Sequence, residues 1–354
     1  MASVVRRVSE LGLAKPPSFI PTNLHYEGII GSYAYGVSSD TSDMDIYGFT
    51  IPHKDVVFPH LGGEILGFGR QKKRFEQWQQ HHIEDKEAGK QYDIQIYGIV
   101  KYFHLCSECN PNMLDSLFVP QRCVLYITKI GQMVRNNRKL FLSKKVLHTY
   151  LGYSYAQMHK IEIKRPEGLD AVESFERSHG IDRPYSSEEV DEYLKESYLV
   201  ERPLDHESLS RLTQEDLYSY SKILKDCSKR ALDVREHSFD TKFAYHVVRL
   251  LGEAEQILTE GDLDLERNNE QLKAIRRGEV PLEDIKQMFS DRERSLREHY
   301  EKSSLRNEPD EKGLKALLFS CLEEHFGRLD NCVVMEGRTQ SLVSDIESVL
   351  DRYR

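Results

Sequence analysis

Two hydrophobic periods divide the chain. Up to about residue 125 the apolar positions come in short runs and two-residue alternation, and beyond it they recur at helical spacing. The run at 25–30 predicts a strand, which Gly31-Ser32 breaks. A short turn or helix containing Gly36 follows. Asp43-Met44-Asp45 then opens a second extended segment that Pro52 ends. Side chains on a strand alternate in direction, so Met44 and Ile46 are expected in the core, and Asp43 and Asp45 together on the other face. Upstream, residues 3–12 predict a short amphipathic helix with Val4, Val5, Val8 and Leu11 on one side, stopped by Pro16-Pro17. A glycine-bearing excursion over 53–72 leads to two candidate strands, 75–83 and 91–97, forming a hairpin around a charged turn. In the second of these, Ile94 and Ile96 face one way while Asp93, Gln95 and Tyr97 face the other. Residues 99–106 have helical spacing, with Val100, Phe103 and Cys106 on one face.

The second half predicts helices at 123–140, 144–164, 213–236, 239–259, 268–277, 282–302 and 311–326. The clearest is 239–259. Asp240 suits its N-cap, Gly261 follows its end, and Phe243, Val247, Leu250, Leu251 and Ile257 suit a buried helix. Residues 166–216 carry Pro166, Gly168, Gly180, Pro184 and Pro203 and read as an acidic, partly irregular insertion or lid. The expected class is α+β, with one domain at 1–125 and an all-helical domain at 126–354.

Charge narrows the partners. Of 354 residues, 58 are Asp or Glu and 49 Lys or Arg, a formal net charge of −9, so the chain is no general nucleic-acid coat and any such contact needs a local basic patch. One candidate is 129–165, which includes Arg135, Arg138, Lys139, Lys144 and Lys145 and only one acid, Glu162. It could track an RNA backbone, or the acidic stretch 166–216 could neutralise it. Tyr150, Tyr153 and Tyr155 nearby read as core residues. The cysteines form no framework: Cys106 and Cys109 make a single CxxC with no second pair at zinc spacing, and unpaired thiols fit a reducing compartment. No run of eighteen apolar residues and no signal-peptide core are present, so a cytoplasmic protein with no membrane contact is expected. Trp78 is expected to pack in the core, and His81-His82, with no partner at ligand spacing, to sit at the surface.

The candidate chemistry lies at 29–49. Two carboxylates held side by side repel each other unless a cation sits between them. Hard divalent ions such as Mg²⁺ take oxygen ligands of this kind. Ahead of them, Gly31 lets the backbone approach a ligand closely, a helix starting there would offer N–H groups to a phosphate, and Ser32 adds a hydroxyl. Ser38, Ser39, Asp40 and Ser42 suit the intervening turn. A phosphate seat joined to a carboxylate pair suits a metal-bound nucleoside triphosphate. Lys242, His246 and Arg249 are four and three residues apart, hence on one helix face. They form either a cationic face for the triphosphate or an acceptor phosphate, or a solvated stripe in which Arg249 pairs with Glu253.

Gly31-Ser32, Gly36, Ser42-Asp43-Met44-Asp45 and Gly48 together resemble the signature of the DNA polymerase β-like nucleotidyltransferase superfamily. The stretch from Tyr92-Asp93-Ile94 to Asn110-Pro111, with that from Lys242 to Leu251, is similar to the predicted nucleotidyltransferases found with RNA-repair ligases. The resemblance covers about residues 22–125 and 238–282. It implies a polymerase β-like mixed sheet with flanking helices, an active site in a cleft next to the helical domain, and two Mg²⁺ ions, replaceable by Mn²⁺, bridged by Asp43 and Asp45. It also implies a third carboxylate on a neighbouring strand, for which Asp93 is the candidate and Asp115 the fallback. Gly31 and Ser32 would hold the β- and γ-phosphates. The implied reaction moves an NMP from an NTP to a hydroxyl, with an RNA end as acceptor and pyrophosphate released. Other members of the superfamily modify proteins, including toxin partners, or small molecules such as aminoglycosides. A non-catalytic nucleotide- or RNA-binding module is the third reading, and the intact Asp43 and Asp45 argue against it.

Overall fold

The apolar run after Asn23 forms the strand on which the sheet is built. In the computed structural model, which describes residues 3–38, 43–58, 74–163, 167–196 and 207–327 with 346, 349 and 350, this strand is β1, Leu24–Ile30, buried along its whole length. It pairs antiparallel with β2, Met44–Thr50, and with β5, Val124–Ile127. β2 pairs parallel with β4, Lys90–Gly98, which pairs antiparallel with β3, Gln77–Asp85. The order β3-β4-β2-β1-β5 gives the mixed sheet of the expected α+β class. Gly48 sets the approach of β2 to β1, because a Cβ there would collide with the Tyr26 carbonyl oxygen.

Helices α4, Ile99–Ser107, α5, Pro111–Phe118, and α6, Lys129–Asn136, pack against the sheet. Asn110 caps α5 by accepting from the Met113 N–H at 3.3 Å, with Pro111 at the first helical position. The Phe49 ring lies 4.9 Å from that of Tyr102 and 6.0 Å from that of Tyr26. The Tyr26 hydroxyl donates to the Ser116 carbonyl at 2.6 Å and accepts from the buried Arg135 at 3.0 Å. At the N-terminus, Ser3 caps α1, Val4–Glu10, and the buried Glu27 carboxylate on β1 accepts the Val5 N–H at 2.8 Å. A five-residue helix, α2, Phe19–Asn23, leads into β1, and α3, Lys54–Val57, follows β2.

Several elements depart from the sequence expectation. α1 ends at Glu10, so Leu11 is exposed, while Val5 and Val8 are buried. In α4 the inward side chains are Ile99, Tyr102, Phe103 and Cys106, and Val100 faces out. The helix expected at 123–140 starts instead as β5, because Val124-Leu125-Tyr126-Ile127 is a β-favouring run and Thr128 caps a later helix start. Cys106 and Cys109 are buried thiols, the latter 3.5 Å from the Ser143 hydroxyl. The basic stretch after β5 is largely committed within the fold: Arg135 to the Val119 carbonyl at 2.9 Å, Lys139 to Asp262 at 2.6 Å, and Lys145 to Glu108 and Glu308 at 3.1 and 2.8 Å. These carboxylates lie outside 166–216, the segment expected to neutralise the patch.

Contacts group Met1–Thr149, Glu253–Asn269 and Glu298–Arg354 into one unit, and Tyr150–Gly252 with Glu270–Arg297 into a second. After α7, Val146–Ile163, come α8, Leu169–His179, α9, Ser187–Glu196, α10, Glu207–Ser210, α11, Gln214–Asp226, and α12, Lys229–His237. They share a core that includes Val172, Val190, Tyr193, Leu209 and Tyr220. The described part of 166–216 is thus more regular than its prolines and glycines suggest. Gly168 and Gly180 sit at the two ends of α8 with φ of 87° and 62°, where they cap the helix. The helix expected at 213–236 is split by Ser228, which starts α12 by accepting from the Ala231 N–H at 3.2 Å. The helix expected at 239–259 is α13, Thr241–Glu260, capped by Asp240 at 2.9 Å from the Phe243 N–H and ended at Gly261. α14, Asn269–Arg276, α15, Leu282–Lys302, and α16, Glu311–Phe326, follow as predicted. Among the described residues no helix is long and apolar enough to cross a membrane. Most of the excursion at 53–72, together with Ser39, Asp40, Ser42, Lys164, Arg165, Pro166 and Pro203, lies outside the described residues.

Candidate active site

β1 ends at Ile30 and the chain turns at Gly31, whose φ is +71°. Residues Gly31–Tyr33 form a single 3₁₀ turn, with the Tyr35 N–H on the Gly31 carbonyl at 3.1 Å and the Val37 N–H on that of Ser32 at 2.9 Å. Ala34 and Tyr35 anchor it in the core. The Gly-Ser step therefore does not open an α-helix, and the helix-dipole contribution anticipated for a phosphate seat is reduced to that of one short turn. Ser32 is half-buried.

Strand pairing brings the carboxylates to this turn. Ile30 stands opposite Asp45 across β1 and β2, so Gly31 comes directly beside the Asp45 side chain. A Cβ at Gly31 would lie 2.7 Å from Asp45 Oδ2. Conformation and space both call for glycine here. Met44 and Ile46 are buried and Asp45 half-buried, as alternation requires, while Asp43, one residue ahead of β2, is exposed. On the other side, Asp45 stands in register with Asp93 across the parallel β2–β4 pair. Neighbouring strands are roughly 4.8 Å apart, so these two aspartates rise from the same face as close neighbours. That face continues with Tyr47 on β2 and with Gln95 and Tyr97 on β4. The Tyr97 hydroxyl donates to Gln95 Oε1 at 2.7 Å, and burial pushes the Tyr47 hydroxyl well above the usual phenol range.

Asp93 has partners that the sequence did not disclose. Its Oδ1 accepts the His82 N–H at 2.7 Å, and its Oδ2 lies 3.1 Å from His81 Nδ1. The pairing of β3 with β4 slips between Gln80 and Ile83, and His82 sits in this bulge with φ of 55°. A bulge re-aims backbone and side chains, and here it brings the His81 imidazole and the His82 N–H to Asp93, while the His82 ring lies 3.1 Å from the Gln91 amide nitrogen. His81 and His82 are exposed, as expected, and what the sequence did not show is the partner that His81 has in Asp93. The available signal was the run of polar residues at 79–82, which breaks the alternation of β3. Trp78, expected in the core, is half-buried opposite Ile96.

Asp115 is placed differently. It is fully buried in α5, and its Oδ2 accepts the Tyr35 hydroxyl at 2.5 Å. Among the described residues no three His, Cys, Asp or Glu side chains are gathered closely enough to hold an ion as they stand. The donor chemistry itself fits a hard divalent cation: oxygen ligands on a rigid sheet, with the missing side chain of Gly31 leaving the Asp45 carboxylate room. A cavity of about 480 Å³ lined by Val100, Phe103, Leu314 and Leu318 contains none of these residues. On α13, Lys242 is exposed, His246 half-buried and Arg249 buried.

Residues 12–170 match the model of the RNA repair pathway DNA polymerase beta family. The matched span includes the Gly31-Ser32 turn, Asp43, Asp45, Asp93 and Asp115, and ends before α13. The resemblance drawn from the Gly-Ser and Asp-Met-Asp motifs is thereby borne out. No curated protein matches the chain.

Proposed function

We propose, on the premise that residues 12–170 belong to the RNA repair pathway DNA polymerase beta family, that the chain is a Mg²⁺-dependent nucleotidyltransferase that modifies RNA ends. One observation carries this reading: Asp45 is set between the Gly31 turn on one strand and Asp93 on the other. In the reaction an acceptor hydroxyl oxygen bonds to the α-phosphorus of an NTP, the bond to the bridging oxygen of the β-phosphate breaks, and pyrophosphate leaves. Asp43, Asp45 and Asp93 would hold two Mg²⁺ ions, or Mn²⁺ in their place. Bound there, the metal would make the attacking hydroxyl more acidic and neutralise charge on the phosphates. Asp93 would take the hydroxyl proton. Gly31 and Ser32 would donate to the β- and γ-phosphates through the main chain and the hydroxyl, and Lys242, His246 and Arg249 would serve as further anion-binding groups. A cytoplasmic location accompanies this reading, in keeping with the buried free thiols.

The test offers labelled ATP, CTP, GTP and UTP, first with total RNA and then with lysate protein. The expected result is Mg²⁺-dependent label in RNA from at least one NTP, with pyrophosphate released, and loss of both in Asp45→Asn. Label confined to protein would move the acceptor to a polypeptide. No pyrophosphate release with any NTP or acceptor would favour a non-catalytic binding module.

A further inference from the structure

Lys242, His246 and Arg249 share one face of α13, and cations from two other helices join them. Lys160, in the last turn of α7, lies over the Phe243 ring at 5.3 Å from its centroid. Arg276, the final residue of α14, lies over the Tyr245 ring at 5.3 Å. The Tyr245 and His246 rings are themselves neighbours at 4.2 Å. Positive side chains from α7, α13 and α14 thus converge on His246. Lys160, Lys242 and Arg276 are exposed, and Arg249 is buried behind them. Burial, then the charges of Arg249, Lys242, Arg276 and Lys160, hold the His246 imidazole well below its usual range, so at neutral pH it is uncharged.

The way these cations are held is informative. Lys273 on α14 and Arg277 just past its end pair with Glu270 at 2.7 Å and Glu279 at 2.5 Å. Arg276 between them rests on an aromatic face instead. A cation held by a carboxylate spends its N–H donors and its charge on that partner, whereas one held by a ring face keeps its donors for a ligand. Gathering like charges around a half-buried group costs free energy that an anion recovers.

We propose that this face is a phosphate-binding site, with Lys160, Lys242 and Arg276 as the contacting charges, His246 as a hydrogen-bond donor and Arg249 adding positive potential behind it. Its ligand is the phosphate of a nucleoside triphosphate or of an RNA strand. This deepens the nucleotidyl-transfer reading, which supplies such a ligand, yet it is measured without metal and without turnover, so the two fail separately.

The experiment uses the full chain in EDTA. Anisotropy of a short fluorescein-labelled single-stranded RNA reports one source, and calorimetry with sodium tripolyphosphate reports the other. The double variant Lys242→Ala/Arg276→Ala changes two exposed side chains, and circular dichroism checks its fold. Expected is an affinity loss of about tenfold or more for whichever probe the site takes. For RNA, the slope of log affinity against log salt should also fall by about 1.4, roughly 0.7 for each lost phosphate contact. Loss confined to RNA assigns the site to the strand, and loss confined to tripolyphosphate assigns it to the triphosphate. Binding of neither probe by the wild-type chain, or binding unchanged in the folded double variant, overturns the proposal.

Discussion

Asp93 and Asp115 both lie in the segment matched by the family, and their surroundings set them apart. Asp93 stands on β4 beside Asp45, half-exposed, with its oxygens on a backbone N–H and an imidazole of the bulged edge strand. Asp115 is sealed in α5, with the Tyr35 hydroxyl on one oxygen. The first sits where water, a metal ion or a substrate can exchange for its present partners. The second can lose its partner only at the cost of a buried unsatisfied polar group. Position relative to the sheet, and not residue type, separates a candidate catalytic carboxylate from a structural one.

The strongest way to break this contrast is to remove each carboxylate in turn. Asp93→Asn should lower NTP-dependent transfer by about 10³-fold, the scale of losing one electrostatic group at a reacting centre, with the thermal midpoint little changed. Asp115→Asn and Tyr35→Phe should instead lower stability by about 1–3 kcal/mol in urea titrations, with transfer per folded molecule retained. A folded Asp115→Asn protein without transfer would exchange the two roles. Gly31→Ala sharpens the comparison from the substrate side. Its left-handed backbone alone costs about 1–2 kcal/mol, and the added methyl presses on Asp45, so stability and transfer should fall together. Gly89→Ala, at φ of 60° with open space around it, should lose stability only. The last comparison concerns Glu27, a third carboxylate, which burial pushes up to about 7 from 4.5 despite the N–H bonds it accepts. The folded state holds this proton more tightly than the unfolded state. The stability from Glu27 is therefore full below about pH 4.5 and is lost as the pH rises through about 7. Urea midpoints of the wild type should fall relative to Glu27→Gln across that window.

Strand alternation made much of the sheet legible. Met44 and Ile46 read as core and Asp45 as facing away from them, and the family match bears out the resemblance drawn from those residues. The long helices α13, α15 and α16 were legible for the same reason: a sustained period, with a cap at α13. What escaped depends on long-range pairing. The bulge at His81-His82 exists because β3 must follow β4, and a single strand carries no record of its neighbour. The burial of Asp115 depends on Tyr35, distant in sequence. β5 was read as helix because a four-residue strand offers too little alternation to outweigh the helical residues after it.

The parallel pairing of β2 with β4 has a mechanical corollary. The gap between Asp45 and Asp93 is dictated by main-chain ladder bonds, so repacking the apolar layer beneath the sheet would leave that gap unaltered. A single residue inserted in β4 ahead of Asp93 would act in the opposite way, rotating the carboxylate through the sheet into the hydrocarbon interior and pulling apart the pair of acids that the strands had set side by side.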